Sequence, residues 1–82
     1  MSELTDMQNI GKELEKQLKQ VGVETCEELI QLGSKEVFYR IRLIDQSACI
    51  NRLYALEGAI QGVNWNYLAQ AIKDDLKAFY LS

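Results

Sequence analysis

The sequence predicts an all-α fold, a compact bundle of roughly five to six short helices, and three observations carry that expectation. Apolar residues recur at intervals of three and four, as in Ile10, Leu14, Leu18 and Val21 or in Ile72, Leu76 and Phe79, which sets them on one helical face. Capping residues and glycines divide the chain into segments joined by short loops. No segment alternates polar and apolar residues well enough to read as a strand. A length of 82 residues supports one domain, taken as residues 1–82 with residues 1–8 as an N-terminal arm or first turn. So small a domain has a thin stability margin, and nearly every apolar position must serve one core.

Each element has its own signal. Leu4 to Met7 reads as a first turn covering the core. Asn9 to about Val21 is the first secure helix, with Asn9 placed to accept its first free amide protons. Gly11 there allows close approach of the backbone to whatever lies over the helix start, and Gly22 sits at the left-handed closing position. Small-loop-then-helix units of this Asn-Ile-Gly kind give the opening a helix-hairpin-helix-like (SAM-like) character. Thr25-Cys26-Glu27-Glu28 is a capping box that opens a short helix through Leu29, Ile30 and Leu32, closed by Gly33. Ser34 caps the next helix, Lys35 to about Leu43, with Val37, Phe38 and Ile41 facing inward. Asp45 or Ser47 starts a fourth, which runs through Cys49, Leu53, Leu56 and Ile60 and closes at Gly62. Asn64 caps a turn holding Trp65 and Leu68, and the last helix carries Ile72, Leu76 and Phe79.

Composition narrows the function classes. Hydrophobic content of 48% with 26% charged residues is that of a globular chain. There is no run long enough to span a membrane and no basic-then-apolar leader, so a cytoplasmic location without membrane contact is expected. Net charge is −3 and the pI is near 4.8, whereas dedicated DNA binders concentrate Lys and Arg on one face. With no histidine the chain lacks the ordinary general base near neutral pH, and no catalytic triad or dyad can be assembled from the usual parts. Cys26 and Cys49 lack CxxC spacing. They read as reduced thiols at helical core positions. Asp74-Asp75 reads as a surface pair with Lys73 and Lys77 beside it, since adjacent helical residues point apart. No catalytic residue, cofactor or metal site is expected, and the chain is not read as an enzyme.

The candidate contact residues are Asn9, Ile10, Gly11 and Lys12, joined by Lys16 and Lys19 along one side of the first helix. Free amides at a helix start suit phosphate. The same lysines, flanked by Glu13 and Glu15, also fit an ordinary solvated face. Structural roles fall to Gly22, Thr25, Gly33, Ser34, Glu57, Gly58, Gly62 and Trp65. Gly58 inside a helix costs on the order of 1 kcal/mol relative to alanine, and with Ala55 and Ala59 beside it the expectation is a second helix crossing at close range, a ligand groove being the sharper alternative. Glu57 among these apolar residues is expected to pair with Arg40 or Arg42. Trp65 is expected to plug the core between the last two helices, with nucleotide stacking or partner contact as its functional alternative.

These residues also carry a family resemblance. Asn9-Ile10-Gly11-Lys12 with Leu14 and Leu18, Val21-Gly22-Val23, Thr25 with Glu28-Leu29, and Leu32-Gly33-Ser34-Lys35 resemble the opening of the C-terminal domain of TfoX/Sxy competence regulators. The similarity continues through Leu53-Tyr54-Ala55-Leu56-Glu57-Gly58-Ala59-Ile60, Gly62, Trp65, Leu68, Lys73, Leu76-Lys77 and Phe79, covering roughly residues 9–80. The Leu-Tyr-Ala-Leu-Glu-Gly-Ala run and Gly-x-x-Trp are its most specific parts. The resemblance implies a small helical domain from bacterial proteins that regulate DNA-uptake genes, whose full-length members act as transcriptional coactivators and carry a further N-terminal domain. The opening is also similar to the DNA-contacting end of the C-terminal domain of RNA polymerase alpha, which sets an Asn-hydrophobic-Gly-Lys turn against the DNA backbone; the matching positions here are Asn9, Ile10, Gly11 and Lys12. Two functions follow as expectations. One is a non-enzymatic interaction module in transcription regulation, acting on a protein partner. The other is weak, sequence-independent DNA binding through the Asn9–Lys12 turn.

Overall fold

The computed structural model describes residues 4–82; residues 1–3 of the expected arm lie outside them. Among the described residues every regular element is helical. Leu4–Asp6 makes a 3-10 turn, as the first-turn reading expects. Five α-helices follow: α1 (Lys12–Gln20), α2 (Cys26–Leu32), α3 (Ser34–Ile44), α4 (Ile50–Gln61) and α5 (Gln70–Leu81), with a second 3-10 turn, Trp65–Tyr67, between the last two. The predicted stops hold at Gly22 and Gly62, both at positive φ. The capping box forms with both of its bonds: Thr25 Oγ1 accepts from the Glu28 amide at 3.1 Å, and Glu28 Oε1 accepts from the Thr25 amide at 3.2 Å.

α3 and α4 form the centre of the bundle, with α2 and α1 on α3 and α5 on α4. The core is built from Leu14 and Leu18 of α1, Leu29, then Val37, Phe38 and Ile41 of α3, Leu53 and Leu56 of α4, and Leu68 and Leu76. Leu4 of the first turn is also buried, closing the end of this core. Ile30, by contrast, is exposed.

Several expected roles change hands. Asn9 does not cap α1. Its backbone is left-handed at φ 71°, a conformation asparagine tolerates better than most residues. The chain straightens at Gly11, and the helix begins with Gly11 at the N-cap position and no side-chain cap. The Asn9 side chain instead reaches across the sequence. Its Oδ1 accepts the Trp65 amide at 3.1 Å, while its Nδ2 donates to the Val63 carbonyl at 2.9 Å and lies 3.4 Å from that of Ala55. Asn9 therefore does accept a helix-start proton, but that of the 3-10 turn 56 residues away.

Gly58 follows from this. A Cβ placed there would sit 2.5 Å from Asn9 Nδ2, 2.8 Å from the Val63 carbonyl oxygen and 3.1 Å from Trp65 Cα. The close approach is real, but what approaches is the Asn9 side chain and the chain folding back after α4, not a crossing helix. Trp65 does not plug the core either. It lies half-buried at the rim, stacked on Tyr54 with ring centroids 5.7 Å apart, and Lys73 Nζ lies 5.8 Å from its ring. The smaller Leu68 takes the buried place.

Ser34 is also reassigned. Gly33, at φ 88° and ψ 158°, ends α2 and precedes α3 directly, and such a positive φ favours glycine. Ser34 thereby becomes the first residue of α3 rather than its cap, and its hydroxyl donates to Glu57 Oε1 at 2.6 Å. Glu57 thus meets the start of α3, while both arginines lie further along that helix. Arg40 pairs with Glu36 at 2.9 Å, and Arg42 turns toward α5, donating to the Tyr80 carbonyl. The fourth helix starts at Ile50 rather than at Asp45 or Ser47. Cys49 becomes its exposed N-cap, and Cys26, the first residue of α2, is half-buried. Both cysteines precede the inward-facing positions of their helices, so neither is the core thiol expected.

Asp45 closes α3 and gathers the loop before α4. It accepts from the Ser47 hydroxyl and amide, from Gln17 Nε2 at 2.8 Å and from Arg52 Nη1 at 3.1 Å, which ties α1, α3 and α4 together. The Ser47 hydroxyl above all, then Gln17, the Ser47 amide and Arg52, hold its carboxyl well below the usual carboxylate range.

Two tests follow from this packing. Gly58→Ala should destabilise the fold by about 1–3 kcal/mol through overpacking, although alanine is the better helix former. Asn9→Ala should cost about 2–4 kcal/mol, since it orphans polar groups and places alanine at positive φ. Urea denaturation of the single and double variants should show non-additive losses, because both changes act on one contact; a neutral Gly58→Ala would contradict the arrangement. Asp45 sets a pH dependence. Its folded pKa is depressed, so its contribution is complete above its unfolded pKa of about 3.9 and is lost as pH falls below that value. Denaturation of Asp45→Asn should show a stability deficit at neutral pH that narrows below pH of about 4.

Candidate functional site

The opening turn divides into an internal half and an external half. Asn9 is occupied by the three backbone groups it meets, and Ile10 is 5% exposed and belongs to the core. Gly11 is exposed with ordinary negative φ and open space where a Cβ would stand, so no close approach by the protein itself requires glycine there. Lys12, Lys16 and Lys19 are exposed along one side of α1, as their spacing predicts. Lys19 lies 3.9 Å from Glu15, while Lys12 and Lys16 form no ion pair with any described residue. Of the candidate contact residues, Gly11 and the three lysines are therefore the exposed ones, at the start and along one side of a helix with no side-chain cap.

A second feature lies at the α2–α3 junction. A cavity of about 560 Å³ opens between the α2–α3 junction and α5. Leu32, Ala71, Ile72 and Leu76 supply its apolar surface, and Gly33, Ser34, Lys35, Glu57 and Asp75 complete the wall. Glu57 is half-buried, with Oε1 accepting from Ser34 and Oε2 from Gln61 Nε2, each at 2.6 Å. Lys35 is held by Asp75 at 2.6 Å, with its ammonium 5.8 Å from the Phe79 ring centroid. The sequence marks Glu57 as unusual among its apolar neighbours. Its partner is invisible there, because the single-residue break at Gly33 decides what α4 meets.

α3 presents a third feature. Opposite its buried Val37, Phe38 and Ile41 it exposes Tyr39 and Leu43 at 56% and 67%. Small hollows beside them are lined by Arg42, Gln46 and Phe79, and the Arg42 guanidinium lies over the Phe38 and Tyr80 rings at 5.5 and 5.2 Å. The sequence carries a signal for this face: α3 is apolar on more of its circumference than one buried stripe needs.

Among the described residues no group of three or more His, Cys, Asp or Glu side chains could hold a metal ion. Among the same residues no helix is long and apolar enough to cross a membrane. Asp75 engages Lys35 while Asp74 accepts from Gln70, so the adjacent acids have separate partners.

No curated protein matches the chain. Solved structures do match it, two crystal structures among them. An uncharacterized protein from Listeria monocytogenes, in a triclinic form, is 50% identical with a TM-score of 0.91, over 93% of this chain and 86% of that one. A protein of unknown function from the same organism, in a tetragonal form, is 49% identical with a TM-score of 0.93, over 95% of this chain and 96% of that one. The sequence also matches the TfoX C-terminal domain over residues 1–80. With the helical architecture and the ordered motifs in agreement, the chain belongs to the TfoX C-terminal domain family.

Proposed function

We propose that this chain is a non-enzymatic interaction module of a transcription-regulatory system linked to competence, acting through contacts with a protein partner. The fate of the opening turn carries the reading. Of the four residues that a phosphate-contacting turn would offer, Asn9 and Ile10 are turned inward and serve the fold. What remains outside is three lysines beside Glu13 and Glu15 on a chain of net charge −3, a weak footprint for a polyanion. Exposed Tyr39, Leu43 and Leu81 supply the kind of apolar surface that protein contacts bury. Family membership supports a competence-related regulatory role.

DNA binding is the second reading, and one observation favours it. α1 has no side-chain cap, so its first amides are open to an anion beside Lys12. The two readings separate in an NMR titration with a short duplex at two salt concentrations. The interaction module predicts binding no tighter than about 10⁻⁴ M at physiological salt, disappearing as salt rises. DNA binding predicts micromolar affinity, shifts confined to residues 11–19, and a larger loss from Lys12→Glu than from Lys77→Glu. That outcome would overturn the leading reading.

A further inference from the structure

From the cavity between the α2–α3 junction and α5, we infer a receptor for a lysine side chain presented by the protein partner, a step that rests on the interaction-module reading. The central observation is Glu57. It is a half-buried carboxylate on the cavity wall, and among the described residues it has no cationic partner; its two hydrogen bonds come from the neutral Ser34 hydroxyl and Gln61 amide. A carboxylate partly withdrawn from water gains when a cation completes it. The cation already in the wall does not serve. Lys35 is engaged by Asp75 and lies over Phe79.

The rest of the cavity matches a lysine stem. Its volume of about 560 Å³ lies in the range of small-ligand sites. Leu32, Ile72 and Leu76 offer apolar surface, against which the four methylenes of lysine pack while the ammonium reaches a polar group. An ammonium suits Glu57 better than a guanidinium does. Each carboxylate oxygen already accepts one bond, so a compact donor can use a remaining lone pair, whereas arginine gains its bidentate advantage only where its planar fork meets both oxygens together. The chain's net charge of −3 favours a basic partner segment over an acidic one.

The test uses the isotope-labelled chain and three peptides: acetyl-Leu-Lys-Leu-amide and its counterparts with norleucine or arginine in the central position. The lysine peptide should shift amides of Leu32, Gly33, Ala71, Ile72 and Leu76 with millimolar affinity and bind tighter than either counterpart. Glu57→Gln keeps a side chain of the same length without the charge, and should weaken the lysine peptide about fivefold or more. Ala71→Trp, an exposed position on the cavity wall, should block binding without touching Glu57. Equal binding of the norleucine peptide, no change in Glu57→Gln, or the absence of shifts around the cavity would each overturn the proposal. Failure here with the DNA titration also negative removes the lysine receptor alone; micromolar DNA binding removes the module reading itself.

Discussion

Asn9 joins the beginning of the chain to its last third through hydrogen bonds that reach 54 and 56 residues along the sequence. Its left-handed backbone turns the side chain toward the end of α4, where it satisfies one amide and one carbonyl that the chain leaves open as it turns from α4 into the Trp65–Tyr67 segment. A buried polar backbone group without a partner is costly, so this one side chain stabilises a reversal that α4 and its glycine stop could not complete alone. Gly58 is the complementary half, because only a residue without Cβ leaves room for the amide. The contact links the turn before α1 to the segment that carries Trp65 and leads into α5.

That constraint also shapes what the surface can offer. An asparagine engaged inside cannot meet a phosphate, so the opening turn presents its lysines without the residue that gives such turns their most specific contact. The N-terminus of α3 is served differently. Gly33 breaks α2 from α3 without a loop, Ser34 is drawn into the interior, and Glu57 from α4 places its carboxylate at that helix start. A negative charge near a helix N-terminus is favourable. Glu57 therefore has a structural role while still bordering the cavity.

The helical architecture is legible in the sequence because it rests on local chemistry. The spacing of Leu14 and Leu18, the Thr25–Glu28 box and the stops at Gly22, Gly33 and Gly62 all act within a few residues of themselves. The departures share a different cause. Asn9, Ser34 and Glu57 are polar residues that each have a partner 23 to 56 residues away, and local rules assign each a nearby cap or a generic counter-ion. Gly58 is recognisable as a close approach, but nothing local says that a side chain and the returning backbone, rather than another helix, fill the space. Trp65 is misplaced by its size: the reversal after Gly62 holds it against Tyr54 at the rim, leaving the interior to Leu68. The exposed lysines follow directly from helical spacing, whereas the cavity near Glu57 is made where α2, α3, α4 and α5 meet and has no local signature.

The most direct measurement of the central contact is native-state hydrogen exchange at the Trp65 amide, the proton held by Asn9 Oδ1. This amide begins a short 3-10 turn and has no role in an α-helical ladder, so without Asn9 it would exchange like that of an exposed loop. If Asn9 closes the fold, the Trp65 amide exchanges only through opening on the scale of the core helices, and Asn9→Gly, which permits the same backbone conformation, abolishes that protection selectively. Rapid exchange of the Trp65 amide in the unaltered protein, with α3 and α4 fully protected, would contradict the account.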